Sequence, residues 1–136
     1  MSKAEQIAAL ADRVESATGP DNELNAVIAS MFGWTDLERI NDAVTMGRSL
    51  TGVWCYNVPQ YTASLDAAMT LVPEGFEWSL EAEETEMHYP VHSEWTYRAK
   101  LGDSALRMEA EAATPALALT AACLRAHLTK GNPDDR

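Results

Sequence analysis

Three consecutive segments in which apolar and polar residues alternate constrain the fold of this 136-residue chain most strongly. Their apolar members are Phe76, Trp78, Leu80 and Ala82, then Trp95, Tyr97, Ala99 and Leu101, then Leu106, Met108, Ala110 and Ala112. Because side chains alternate between the two faces of a β-strand, a period of two indicates a strand with one apolar face. The pattern therefore predicts a three-stranded antiparallel meander over residues 76–112, with one face on a core.

The connections of this meander are predicted from its polar and turn residues. Gly102-Asp103-Ser104-Ala105 is typical of a tight turn between the second and third strands, and residues 87–92 are predicted to form a long loop between the first two. Cross-strand ion pairs follow from the register. Pairing Trp78 with Ala99 sets Glu77 opposite Lys100, and pairing Ala99 with Met108 sets Glu109 opposite Arg98.

Helical periodicity flanks the meander on both sides. Residues 3–16 carry one apolar stripe, and a second helix is predicted to begin after an Asp21 N-cap and to end at Gly33. A third helix is predicted over about 63–72, with Thr62 or Ser64 as its cap. The fourth is predicted from Thr114-Pro115 to about residue 129.

The segment between the first helices and the meander is less regular. Residues 34–40 are predicted to add a turn of helix. The glycine- and serine-containing residues 47–52 are predicted to form a mobile loop, and residues 53–58 a short strand.

The expected fold is α/β of the α+β type, a three- to four-stranded antiparallel sheet layered with helices in a sandwich-like α-β-α arrangement. We expect one domain over 1–136, with a helical pair at 1–33, a core at 53–129 and a flexible tail at 130–136.

Charge excludes one large class of function. The chain has 10 basic and 21 acidic residues, a formal net charge of −11 and a pI of about 4.5. Phosphate contacts need a basic face, so no nucleic-acid partner is expected.

The start of the chain lacks a secretory pattern, and no apolar run is long enough to span a membrane. A cytoplasmic protein is therefore expected, with Cys55 and Cys123 as reduced thiols. No motif predicts a cofactor or a metal.

Residues 53–129 resemble a known family. Val58–Thr62 running into Ser64–Met69, and Ala113–Leu119 running into Ala121–Ala126, are similar to the phage ABA sandwich domain family and to NinX-like phage proteins. The resemblance implies a layered α-β-α fold, a phage origin and a location in the bacterial host cytoplasm. It implies no reaction, because the family has no defined catalytic residues.

A ligand site is predicted where a helix start, aromatic rings and arginines converge. The candidate residues are Trp54, Tyr56, Tyr61, Thr62, Arg98 and Arg107. Free N–H groups at a helix start bind anions, aromatic rings stack on a nucleobase, and arginine binds phosphate bidentately. The alternative interpretations are that the aromatics belong to a core and that the arginines form cross-strand ion pairs.

The function predicted from the sequence is a non-catalytic phage-encoded binding protein that counters host defence by sequestering a small nucleotide-like signal molecule. The alternative is an acidic inhibitor or DNA mimic directed at a host defence protein. A weaker alternative is a hydrolase that uses His88 and His92.

The uncharged strand near residues 53–58 leaves an edge to be covered, so a homo-oligomer is expected.

Overall fold

The computed structural model describes residues 2–42, 44–88 and 91–129, without the side chains of residues 85–94 and 129. The helices are α1 (Lys3–Ser16), α2 (Asn22–Met31), α3 (Leu65–Met69) and α4 (Pro115–Thr129). The strands are β1 (Thr35–Arg39), β2 (Thr45–Arg48), β3 (Trp54–Cys55), β4 (Glu77–His88), β5 (Val91–Gly102) and β6 (Arg107–Ala112). They form two antiparallel sheets, ordered β1-β2-β3 and β4-β5-β6, and the predicted α+β class is confirmed.

The predicted meander is the β4-β5-β6 sheet, and its apolar face lies on the core. Leu80 pairs with Ala99, which pairs in turn with Ala110. The small side chains of Ala99, Ala110 and Ala112 are buried and leave room for α4 to pack closely against β5 and β6. The other face of these strands carries exposed polar residues, as alternation predicts.

Two details of the predicted meander are wrong. The predicted loop at 87–92 does not exist as such, because the strands continue until Met87 pairs with His92 and His88 pairs with Val91. Tyr89 and Pro90 lie outside the described residues. The register is also displaced by two residues, because in an antiparallel pair it depends on where the connection closes.

The displaced register changes the charge pairs. Glu77 lies opposite Gly102 rather than Lys100, and Glu109 lies opposite Lys100 rather than Arg98. The predicted kind of pairing nevertheless holds on this face, because Arg98 and Lys100 each contact glutamates of the neighbouring strands.

Helix α4 is the central element of the core. Residues 116–124 are all buried, so the helix is enclosed rather than amphipathic. It packs against β5 and β6 and also against α1, whose Ile7, Leu10, Ala11 and Val14 are buried as their spacing predicts. The predicted caps are present, since Asp21 accepts from the Leu24 N–H and Thr114 from the Leu117 N–H, at 3.1 and 3.2 Å.

The region between α2 and α3 differs from its prediction. Residues 35–39 are strand β1 instead of helix, and the predicted loop contains β2. Gly47 in β2 packs so closely that a Cβ there would lie 2.5 Å from Leu37 Cδ2. These strands are stabilised by pairing across the sheet, which local periodicity does not report. The predicted strand at 53–58 is reduced to Trp54–Cys55, and the predicted helix at 63–72 to Leu65–Met69.

None of the described helices combines the length and the apolar character that a bilayer-spanning segment needs.

Candidate functional site

Tyr61 and Thr62 lie in a buried junction rather than at a helix start. Helix α3 begins at Leu65, and Ser64 caps it by accepting from the Ala67 N–H at 3.2 Å. The Thr62 hydroxyl and N–H both donate to Oδ1 of Asn25, at 2.8 Å each. The backbone carbonyl of Tyr61 accepts from the Thr120 hydroxyl of α4 at 2.9 Å. These bonds join α2 and α4 to the segment that precedes α3.

Burial also changes the acidity of the Tyr61 ring. Its side chain is only 3% exposed, and desolvation raises its pKa to about 12, although a hydrogen bond with Trp34 lowers it somewhat. A buried phenol that stays neutral contributes to the packing of the core. The structure therefore places Tyr61 and Thr62 out of reach of a ligand in solution.

Trp54 and Tyr56 are exposed at the edge of the β1-β2-β3 sheet. The guanidinium carbon of Arg48 lies 5.5 Å from the centroid of the Trp54 ring, within the range of a cation–π contact. Nε of Arg48 also lies 2.9 Å from Oδ2 of Asp36. Trp54 lies in β3 and Tyr56 directly after it, so neither lies in the sheet that carries Arg98 and Arg107.

Arg98 lies at the centre of the exposed face of the β4-β5-β6 sheet, where four glutamates surround it. Its Nε lies 2.9 Å from Oε1 of both Glu109 and Glu111, and its terminal nitrogens lie 3.9 and 4.0 Å from Glu81 and Glu83. The hydrogen bond with Glu111 is the main reason that the pKa of Arg98 is raised. Because these carboxylates occupy its donors, Arg98 is poorly placed to bind an external phosphate.

Arg107 lies in a cleft of about 800 Å³ at the end of the same sheet, where β5 turns into β6. This size is within the range of small-molecule sites, roughly 300–1,000 Å³. The guanidinium is exposed, and none of the described residues forms an ion pair with it. The lining also includes Trp78, Ser79, Lys100, Ser104 and the carboxylates of Glu77, Asp103 and Glu109.

The shape of the cleft depends on Gly102. A Cβ at this position would lie 2.4 Å from the Leu106 carbonyl oxygen and 3.3 Å from Cγ of Arg107. The missing side chain therefore lets the backbone at Leu106 and Arg107 approach the end of β5 closely. Oδ1 of Asp103 accepts from the N–H groups of Ala105 and Leu106, at 2.8 Å each, and this fixes the turn.

Most charged groups of the cleft other than Arg107 are already engaged. Nζ of Lys100 lies 3.0 Å from Oε1 of Glu81, and Glu109 is bound by Arg98. Two hydroxyls, a half-buried indole at Trp78 and the carboxylate of Glu77 complete the surface. The cleft thus offers a strong anion-binding group together with acceptors for donor groups.

The described residues contain no group of three His, Cys, Asp or Glu side chains placed to hold a metal ion. The register pairs His88 with Val91 and His92 with Met87, so the histidines are not cross-strand partners; their side chains lie outside the described part of the chain. Both cysteines are free, and burial raises the pKa of Cys123 to about 12.

Of the six residues predicted to form one ligand site, Arg107 alone lines this cleft. The polar-face positions of Lys100 and Arg107 follow from the alternation, but Trp78, Ser79 and Ser104 were not predicted as neighbours of Arg107. The Gly102–Ala105 turn motif is the sequence feature that indicates the position of the cleft, since it marks the end of the sheet where the cleft lies.

No protein-family model, curated protein or solved structure matches this chain.

Proposed function

We propose that this protein is a non-catalytic binding protein that holds a small nucleotide-like molecule in the cleft beside Arg107. The observation that carries the proposal is which arginines of the protein pair with a carboxylate and which do not. Among the described residues, every other arginine pairs with a carboxylate, namely Arg13, Arg39, Arg48, Arg98 and Arg125. On a chain with a net charge of −11, a guanidinium left without such a partner retains its donors for an external anion.

The groups around Arg107 fit the two halves of a nucleotide. A phosphate would accept two parallel hydrogen bonds from the guanidinium, which a lysine could not supply in that geometry. The hydroxyls of Ser79 and Ser104 are further partners for phosphate or sugar oxygens. The amino groups of a base would donate to the Glu77 carboxylate, and the Trp78 indole offers an apolar surface for its ring.

The biological setting is part of the same proposal. The resemblance of residues 53–129 to the phage ABA sandwich domain family suggests a phage protein acting in the host cytoplasm. Sequestering a nucleotide signal there would counter host defence without any catalytic step. The cleft beside Arg107, at one end of the sheet, supports this proposal.

Titration calorimetry with a panel of cyclic and linear nucleotides tests the proposal. We expect one class to bind wild-type protein and Arg107→Gln to weaken its binding about tenfold or more, since a charged hydrogen bond contributes roughly 1.5–3 kcal/mol. Arg39→Gln is the matched control, because it removes an exposed arginine paired with Asp42 outside the cleft. Absence of binding by every nucleotide, or equal binding by both variants, would refute the site.

A second candidate function is favoured by the exposed face of the β4-β5-β6 sheet. Among the described side chains, five glutamates are exposed on it, Glu77, Glu81, Glu83, Glu109 and Glu111. Such a face suits an acidic inhibitor or DNA mimic that binds a basic host protein, although Arg98 and Lys100 divide its carboxylates. Salt separates the two functions, because binding through this face would weaken steeply between low and high ionic strength, while binding in the cleft would depend on salt much less.

A further inference from the structure

A second surface, remote in sequence from the cleft, exposes four apolar side chains within seven residues. Leu50 and Tyr56 are each 70% exposed, Val53 is 57% exposed and Trp54 is 44% exposed. They lie on β3 and on the segments adjoining it. We refer to these four residues as the apolar patch. Exposed apolar residues are ordinary when scattered along a chain, but four within one seven-residue segment indicate a contact surface.

The apolar patch lies in the least charged part of the chain. Although the protein has 21 acidic residues, none falls between residues 43 and 65, and Arg48 is the sole basic residue there. The Arg48 guanidinium lies over Trp54 and pairs with Asp36, so its charge is largely compensated. The patch is therefore nearly neutral on a strongly anionic molecule.

The same region contains a strand edge without charged residues. In the order β1-β2-β3, strand β3 pairs with β2 on one side, through Trp54 with Arg48 and Cys55 with Gly47. Its other side has no strand partner among the described residues. Proteins usually protect such edges with charges, proline or a covering element. Here neither Trp54 nor Cys55 supplies a charge.

We propose that the apolar patch is the contact surface between two copies of this chain in a two-fold symmetric dimer. A two-fold axis places the same surface of each copy against itself. For molecules of charge −11, a neutral surface is where two copies approach without bringing carboxylates together. A basic partner, by contrast, would gain more from the acidic surface elsewhere on the molecule.

The size of the patch predicts how tight this dimer is. With about 150–250 Å² for each large side chain, the exposed fractions give roughly 350–600 Å² per copy. Two copies would then bury roughly 700–1,200 Å², which only at its upper limit reaches the smallest area of a stable interface. The dimer should therefore be weak and depend on protein concentration.

Sedimentation velocity across about 10 µM to 1 mM, a range that brackets weak association, tests this inference. We expect wild-type protein to shift from monomer to dimer and Tyr56→Lys to raise the dimer dissociation constant about tenfold or more. Met69→Lys is the matched control, because Met69 is exposed outside the patch and the variant changes the net charge equally. Both lysines reduce overall repulsion, so a loss of dimer in Tyr56→Lys alone points to the contact itself.

Mixing variants distinguishes a two-fold contact from other modes. Tyr56→Lys mixed with Tyr56→Glu should restore dimer that neither forms alone, since the patches face each other. Circular dichroism confirms that each variant is folded, and nucleotide binding by the Arg107 cleft should be the same in Tyr56→Lys as in wild type. A wild-type monomer at every concentration, or equal loss of dimer in Met69→Lys, would overturn the proposal.

Discussion

Thr62 and Asn25, 37 residues apart in the sequence, are joined by two hydrogen bonds of 2.8 Å, from the Thr62 N–H and hydroxyl to Oδ1 of Asn25. Both residues are 1% exposed. The Thr62 hydroxyl also accepts from the Asp21 N–H at 2.8 Å, and Nδ2 of Asn25 donates to Gln60 at 3.2 Å. This buried polar contact fixes the start of α2 against the chain that leads into α3.

Thr62→Val is therefore expected to destabilise the fold. The substitution keeps the shape but leaves the Asp21 N–H without its acceptor, and a buried polar group without a partner costs about 1–3 kcal/mol. Urea unfolding should show that loss in the free energy of unfolding. Thr70→Val is the control, since the Thr70 hydroxyl is exposed, and we expect a change within about 0.5 kcal/mol. Equal stability of both variants would contradict the importance of the contact.

Stability is expected to fall at alkaline pH. Burial raises the pKa of Cys123 from 9.0 to about 12 and that of Tyr61 from 10.0 to about 12. The unfolded chain therefore releases these two protons at a lower pH than the folded chain does. Between the two pH values the folded state keeps the protons and the unfolded state has lost them. The stabilisation is fully present below pH 9 and is lost as the pH rises toward 12. Urea unfolding at a series of pH values from 8 to 11 would measure the slope.

Tyrosine variants separate the contributions to this slope. Tyr61→Phe removes one group that must stay protonated, so its stability should fall less steeply above about pH 10. Tyr56→Phe is the matched control, because it removes a phenol that is 70% exposed. A slope in Tyr61→Phe that matches wild type would show that the ring is not held neutral by the fold.

The two thiols are expected to differ in reactivity. Cys123 is fully buried in α4, and its raised pKa keeps it a thiol at neutral pH, whereas the thiolate is the reactive form. Cys55 is partly exposed. Titration with an aromatic disulfide reagent at pH 8 should modify Cys55 in the folded protein and both thiols in urea. Rapid modification of Cys123 without denaturant would be inconsistent with this packing.

Arg98→Gln is expected to destabilise the protein in a salt-dependent way. The change removes the cation between Glu81, Glu83, Glu109 and Glu111 and leaves their carboxylates to repel one another. The melting temperature should fall more at low than at high ionic strength, because salt screens exposed charges. Arg39→Gln, which affects a single exposed pair with Asp42, should show a smaller difference. A salt-independent change in Arg98→Gln would exclude repulsion as its cause.

Much of the helix and strand content could be predicted because its signals are local. The stripe in α1, the Asp21 cap of α2, the Thr114-Pro115 start of α4 and the alternation in β4 to β6 each lie within one element. Strands β1 and β2 were missed because their stability comes from pairing between segments rather than from a periodic pattern. The extent of β4 and β5 was missed for the same reason, since it depends on the register.

The sequence by itself determined that the chain is acidic, that it folds as helices layered on an antiparallel meander, and which face of that meander is apolar. Only the tertiary structure decided which polar side chains are free to bind a ligand and which are already bonded within the protein. It buried Thr62 against Asn25, surrounded Arg98 with glutamates and left Arg107 open beside Gly102. The reason is physical: a side chain's type sets which bonds it can form, but its neighbours across the fold decide which of them are already made.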